Sequence, residues 1–177
     1  MEYSGTVRSD SINGKAQAIV GADELLLVTP FDAFPIAYMD IEGFSVRDHA
    51  VHIDTAGGPY DISGLGYACE PFLNALYAAY NEKVRKALFV TCAPLLKTQG
   101  EYICRESGRT MGGRGAIEVH GDCVLLLPPD AGARRIPLCF VTEMVSAPHE
   151  LTLGLDGGDR YTFTKMGYDA DPFTDAV

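Results

Sequence analysis

The chain repeats itself, and the repeat restricts the fold to one small unit built twice. Laying the stretch from Gly14 over the stretch from Gly113, an offset of 99, matches Gly14, Val20, Asp23, Leu26, Leu27 and Pro30 with Gly113, Val119, Asp122, Leu125, Leu126 and Pro129. One inserted residue moves the offset to 100, where Ile36, His49, Gly57 and Gly58 meet Ile136, His149, Gly157 and Gly158. A second insertion moves it to 101, where Tyr60, Gly66, Tyr67, Pro71, Phe72 and Ala75 meet Tyr161, Gly167, Tyr168, Pro172, Phe173 and Ala176. These are 16 identities over the 63 positions from Gly14 to Leu76. Both insertions fall among glycine, proline and aspartate, in TPFDAFP against PPDAGARRI and in AGGPY against DGGDRY. Turns absorb an extra residue, whereas a one-residue slip in a strand turns every side chain to the other face.

Within one copy the pattern reads as five strands and then a helix. KAQAIV, ELLLVT, PIAYMDI, AVHIDT and PYDIS are short, rich in β-branched and aromatic residues, and bounded by turn formers. Phe72, Leu76, Tyr80, Val84 and Leu88 then recur every fourth residue, which predicts an amphipathic helix. Glu70-Pro71 and Asp171-Pro172 place an acid at the expected cap and a proline at the first helical position. The fold class is therefore mainly β with a C-terminal helix in each copy (α+β). The first repeat is expected over residues 1–90, a linker over 91–100, and the second repeat over 101–177. Val177 aligns with Leu76, so the second helix is cut after about two turns. The missing counterparts of Tyr80, Val84 and Leu88 represent about 5–9 kcal/mol of apolar burial. From this we expect that the natural protein continues past residue 177, or that the uncovered barrel end, lined by Phe173 and Val177, is covered by the first copy, the linker or another molecule.

Strands closed by one C-terminal helix resemble the pleckstrin-homology-like barrel, a bent antiparallel sheet plugged at one open end by the helix. The strand-to-helix junctions YDISGLGYACEPFLNAL and YTFTKMGYDADPFTDAV look like those of bacterial pleckstrin-homology-like proteins of unknown function. The resemblance covers both copies and implies two such barrels in tandem, the second with its helix truncated. It implies little about the ligand, since this superfold binds lipids, phosphopeptides and proteins alike.

With 24 acidic and 14 basic residues the net charge is −10, which opposes nucleic acid as a partner. The charge divides evenly, with 12 acidic and 7 basic groups in residues 1–99 and the same numbers in 100–177. Five cysteines without a C-x-x-C pair, and an N-terminus without an apolar signal segment, read as a reduced, cytoplasmic protein. No apolar run approaches the roughly 18 residues of a membrane span.

No motif outweighs its structural reading. His49 and His52 stand three apart at a strand entrance, where they point to opposite faces, and Thr152 replaces the second of them in the other copy. Cys123 with His120, joined by Cys104 and Cys139, could ligate zinc only if the sheet brought them together, and the expectation is no metal. Cys69 precedes a helix, but Glu70 beside it opposes a thiolate. MGGRGA leads into a strand and not a helix, so it is no phosphate loop, and no cofactor is expected. Arg105, Arg109 and Arg114 fall in or beside the first hairpin of the second copy, with Arg8 and Lys15 in the corresponding part of the first. The resemblance implies that basic residues on that hairpin can hold an anionic headgroup. The reading is a non-enzymatic interaction or regulatory module for a protein, a peptide or a second copy of itself, with an anionic lipid as a lesser candidate. The alternative is a small-molecule enzyme using Asp40, Glu42 and His49.

Overall fold

The structure is a computed structural model describing residues 1–129 and 132–177. Its contacts divide into two compact units, one formed by Met1–Val90 and the other by Thr91–Pro128 with Gly132–Val177. Each is a curled seven-stranded antiparallel sheet, a half-barrel, followed by a helix. The first contains β1 (Glu2–Arg8), β2 (Asn13–Val20), β3 (Glu24–Val28), β4 (Ala33–Ala37), β5 (Ile41–Arg47), β6 (Ala50–Thr55), β7 (Tyr60–Ser63) and α1 (Cys69–Ala87). The second contains β8 (Leu96–Glu106), β9 (Arg109–Val119), β10 (Cys123–Leu127), β11 (Arg134–Pro137), β12 (Val141–Ala147), β13 (Glu150–Leu155), β14 (Arg160–Thr164) and α2 (Ala170–Ala176). The strand orders are the same, β4-β3-β2-β1-β7-β6-β5 and β11-β10-β9-β8-β14-β13-β12.

The element boundaries reproduce the offsets read from the sequence. β3 and β10 start 99 residues apart, β6 and β13 100 apart, and α1 and α2 101 apart. The bulge where β5 leaves register with β6, between Ile41 and Gly43, recurs between Val141 and Glu143. The first insertion lies in the β10–β11 connection, which includes residues 130 and 131, outside the described residues. The repeat also extends upstream of Gly14. Gly5 and Gly100 occupy the same place, at the end of the pairing between the first and last strands of each unit. A Cβ there would lie 2.8 Å from the Ser63 carbonyl oxygen in one unit and 2.7 Å from that of Thr164 in the other. Only glycine admits so close a backbone approach.

Seven strands replace the expected five. EYSGTVR forms β1, and PIAYMDI is not one strand: a 3-10 turn at Tyr38–Asp40 breaks it into the end of β4 and the start of β5. The apolar alternation runs through this turn without a glycine, which is why the break left no mark. The expected linker is also shorter, because Leu96 to Gly100 already pair with Val119 to Gly115 in the β8–β9 ladder.

The helices enter through 3-10 turns at Gly66–Ala68 and Gly167–Asp169, whose glycines take φ of 55° and 62°. That left-handed requirement accounts for their identity across the repeat. Glu70 and Asp171 are not caps: α1 begins at Cys69 and α2 at Ala170, with no side-chain cap hydrogen bond. Pro71 and Pro172 are third in their helices, still among the residues whose N–H has no partner within the helix. The buried stripe of α1 is shorter than its periodicity, with Phe72 and Leu76 fully buried but Tyr80, Val84 and Leu88 only half-buried. Phe72 meets Tyr3 edge-on at 5.2 Å, and its counterpart Phe173 meets Phe163 at 5.3 Å.

Candidate functional site

The two units differ at β5 and β12. In the first, Phe44 is 4% exposed and lies edge-on to Tyr77 and Tyr80 of α1, at 5.5 and 5.4 Å. Tyr80 also reaches Tyr38 at 6.5 Å, whose hydroxyl donates to the Gly21 carbonyl. The counterparts one hundred residues on are Met144 and Leu138. α2 runs only from Ala170 to Ala176, so none of its residues stands where Tyr77 and Tyr80 stand. Met144, paired with Leu153 in the ladder as Phe44 is with Ile53, is 53% exposed. Phe140 beside it in the chain is 51% exposed, and Leu138, Val141 and Val177 are half-buried. The result is an apolar strip on the inner side of an edge strand.

Of the two residues expected to line the uncovered end, Phe173 is corrected, while Val177 stays half-buried beside the strip. Phe173 is fully buried within its own unit, because the two turns of α2 suffice to seat it against Phe163. It offers no surface to a partner, and Val177 packs partly against the same core.

The basic residues are exposed, but the register separates them. In the β8–β9 ribbon Arg105 stands opposite Thr110 and Arg109 opposite Glu106, so their side chains leave opposite faces. Arg114 stands opposite Glu101, on the face of Arg105 but four residues along, roughly 13 Å away at the rise of a strand. These three do not converge on one phosphate. Arg8 and Lys15 share the outer face of β1–β2, where the neighbour of Arg8 in β7 is Asp61. Asp61 is held by His52 Nδ1 at 2.5 Å.

His49 is shaped by its turn. Asp48 and His49 have φ of 51° and 60°, the signs of a type I′ hairpin turn, and His149 follows Pro148 with φ of 63°. Histidine is among the residues that tolerate this conformation, which explains the repeated identity without a ligand. The alternative catalytic set is dispersed, because Asp40 and Glu42 flank the start of β5 and His49 lies beyond its end, roughly 20 Å away. The cysteines and histidine weighed as zinc ligands also part company. Cys104 and Cys123 are buried thiols and Cys139 is exposed. Burial, with Glu106 and Asp122 nearby, pushes Cys104 and Cys123 up to about 11 each. His120 turns instead to Cys92 and Glu118. Among the described residues no group of three or more His, Cys, Asp or Glu side chains is placed to hold a metal.

A second polar cluster sits under the β8–β9 hairpin. Glu106 accepts a hydrogen bond from the Tyr161 hydroxyl at 2.7 Å and from Arg134 Nε at 3.2 Å. Burial raises the pKa of this carboxyl, but the Tyr161 and Arg134 hydrogen bonds outweigh it and the net shift is downward. A carboxylate with a lowered folded-state value stabilises the fold above its unfolded value, about 4.3, and loses that contribution as pH falls through the folded value. The expected result is that Glu106→Gln destabilises the protein at pH 7, and that the difference from the parent shrinks toward zero as pH falls below 4. Urea titrations at successive pH values measure it.

Tyr67 and Tyr168, identical across the repeat, are fully exposed on the turns before the helices. Core packing does not account for them. Tyr168 also borders a cleft lined by His149, Glu150, Thr164 and Lys165. No helix among the described residues is long and apolar enough to cross a membrane.

No known protein family matches the chain, and no curated protein does. Among the solved structures to which the chain is similar is that of the Spt16D Pob3N heterodimer, at 14% sequence identity, with 89% of this chain and 85% of that chain covered and a TM-score of 0.34.

Proposed function

We propose that the chain is a non-enzymatic interaction module of two pleckstrin-homology-like units, whose second unit receives an amphipathic helix from a partner protein on the strip of Leu138, Val141 and Met144. The observation that supports this reading is the contrast between Phe44, covered by Tyr77 and Tyr80, and Met144, left half exposed in the same register. The internal copy supplies the template for the occupant: a helix presenting two aromatic residues three apart, backed by polar residues. Laying an apolar helix face into an apolar groove is a recurrent mode of peptide recognition, and methionine suits such surfaces because it adapts to the incoming shape.

The test uses a labelled peptide of residues 70–88 as the helix and the whole chain as receptor. Fluorescence anisotropy is expected to show saturable binding that Met144→Asp abolishes and Glu143→Gln, on the opposite face of β12, leaves unchanged. Absence of binding, or equal binding by Met144→Asp, would remove the proposal. A dimer in sedimentation that Met144→Asp converts to monomer would reassign the strip to a second copy of the chain.

A further inference from the structure

Cys92, His120 and Glu118 form a chain of contacts across 28 residues of sequence. His120 sits at the end of β9, where its backbone N–H donates to the Cys123 carbonyl, and its side chain is entirely buried. Its Nδ1 lies 3.8 Å from Cys92 Sγ and 3.1 Å from the Cys92 carbonyl oxygen. Its Nε2 lies 3.4 Å from a carboxylate oxygen of Glu118, whose side chain is 4% exposed and whose other oxygen is 3.4 Å from Lys97 Nζ. Cys92 itself is exposed.

The acceptors around the ring select its proton positions. The Glu118 carboxylate can only accept, and with the ring proton on Nε2 toward it the Nδ1 lone pair faces the thiol. When Nδ1 takes the thiol proton, the new N–H finds the Cys92 carbonyl 3.1 Å away, and both ring N–H groups are then satisfied. Nucleophile, base and orienting carboxylate are the parts of an activated thiol.

We propose that Cys92 is a modification site for low-molecular-weight disulfides, with His120 as its base and Glu118 as a positioning residue. The Cys92 S–H proton passes to His120 Nδ1 while the sulfur attacks one sulfur of the disulfide. The new S–S bond forms as the old one breaks, the departing thiolate takes a proton from water, and His120 releases to water the proton it accepted. The products are a mixed disulfide on Cys92 and one free thiol, with no other oxidant.

Cys139 is the internal control, since it is a free, exposed cysteine of the same unit. The whole chain is incubated with bis(2-hydroxyethyl) disulfide, an uncharged probe, and the two cysteines are followed by peptide mass spectrometry. General-base assistance predicts that Cys92 is modified about tenfold or more faster than Cys139. His120→Phe is expected to bring the ratio near one, and Glu118→Gln to lower it, with the Cys139 rate unchanged as the sign that the fold is intact. If a variant fails to fold, the parent ratio decides. Equal rates, faster reaction at Cys139, or a ratio unaffected in a folded His120→Phe protein would overturn the assignment.

Discussion

Replacing Phe173 with alanine is expected to cost about 3–5 kcal/mol, the range for emptying a buried aromatic site. Phe173 is fully buried although α2 spans only Ala170–Ala176, and its ring packs edge-on against Phe163 at 68°. Seven other apolar side chains of the same core cluster are also fully shielded, among them Ile117, Leu126 and Leu153. A helix this short has little stability of its own, so its presence depends on that one side chain. The loss is read as a fall in the urea midpoint together with loss of protection from hydrogen exchange in β8 and β14. Tyr168→Ala, at a fully exposed position five residues earlier, is the control and is expected to stay within about 0.5 kcal/mol of the parent. Equal effects of the two substitutions would mean that α2 contributes nothing to the second core.

A matched pair across the repeat gives the second large effect. Phe44→Ala removes the ring that Tyr77 and Tyr80 both contact, and a cost of about 3–5 kcal/mol is expected. Met144→Ala, in the same register of the other sheet, removes a side chain already half in water and is expected to cost less than about 1 kcal/mol. Denaturant titration of both variants checks the difference. A Met144→Ala cost approaching that of Phe44→Ala would show that the strip is covered within the chain.

The repeat was legible because turn chemistry and core positions are both local. Phe72 and Phe173, Gly66 and Gly167, and His49 and His149 each repeat for a conformational or packing reason that the structure displays. β1 and β5 were harder to read. EYSGTVR carries a glycine at its close approach to Ser63 and few apolar residues, and the 3-10 turn between β4 and β5 has no glycine or proline to mark it in the sequence. The offset of 100 lays Met144 over Phe44, but that Met144 is exposed where Phe44 is buried is a matter of packing and needs the structure. The contact of Cys92 with His120 needs it too, because it depends on where the 91–95 segment lies against the β9–β10 turn. The placement of the arginines also depends on register. Their closeness in sequence suggested a cluster, and the alternation of the ladder dispersed them.

In both units the first strand pairs with the last. Thr6 stands opposite Ser63 and Glu101 opposite Thr164, separations of 57 and 63 residues. Neither half-barrel can join its two halves until its final strand is available, so most of the chain entropy of a unit is lost before this contact repays it. Folding of each unit is therefore slow for its size, in the millisecond-to-second range of proteins dominated by non-local pairing. During synthesis the first unit has all its strands once Ser63 has cleared the ribosome, while β8 to β14 are still to be made, and the exposed edges of an unfinished sheet exist for one unit at a time.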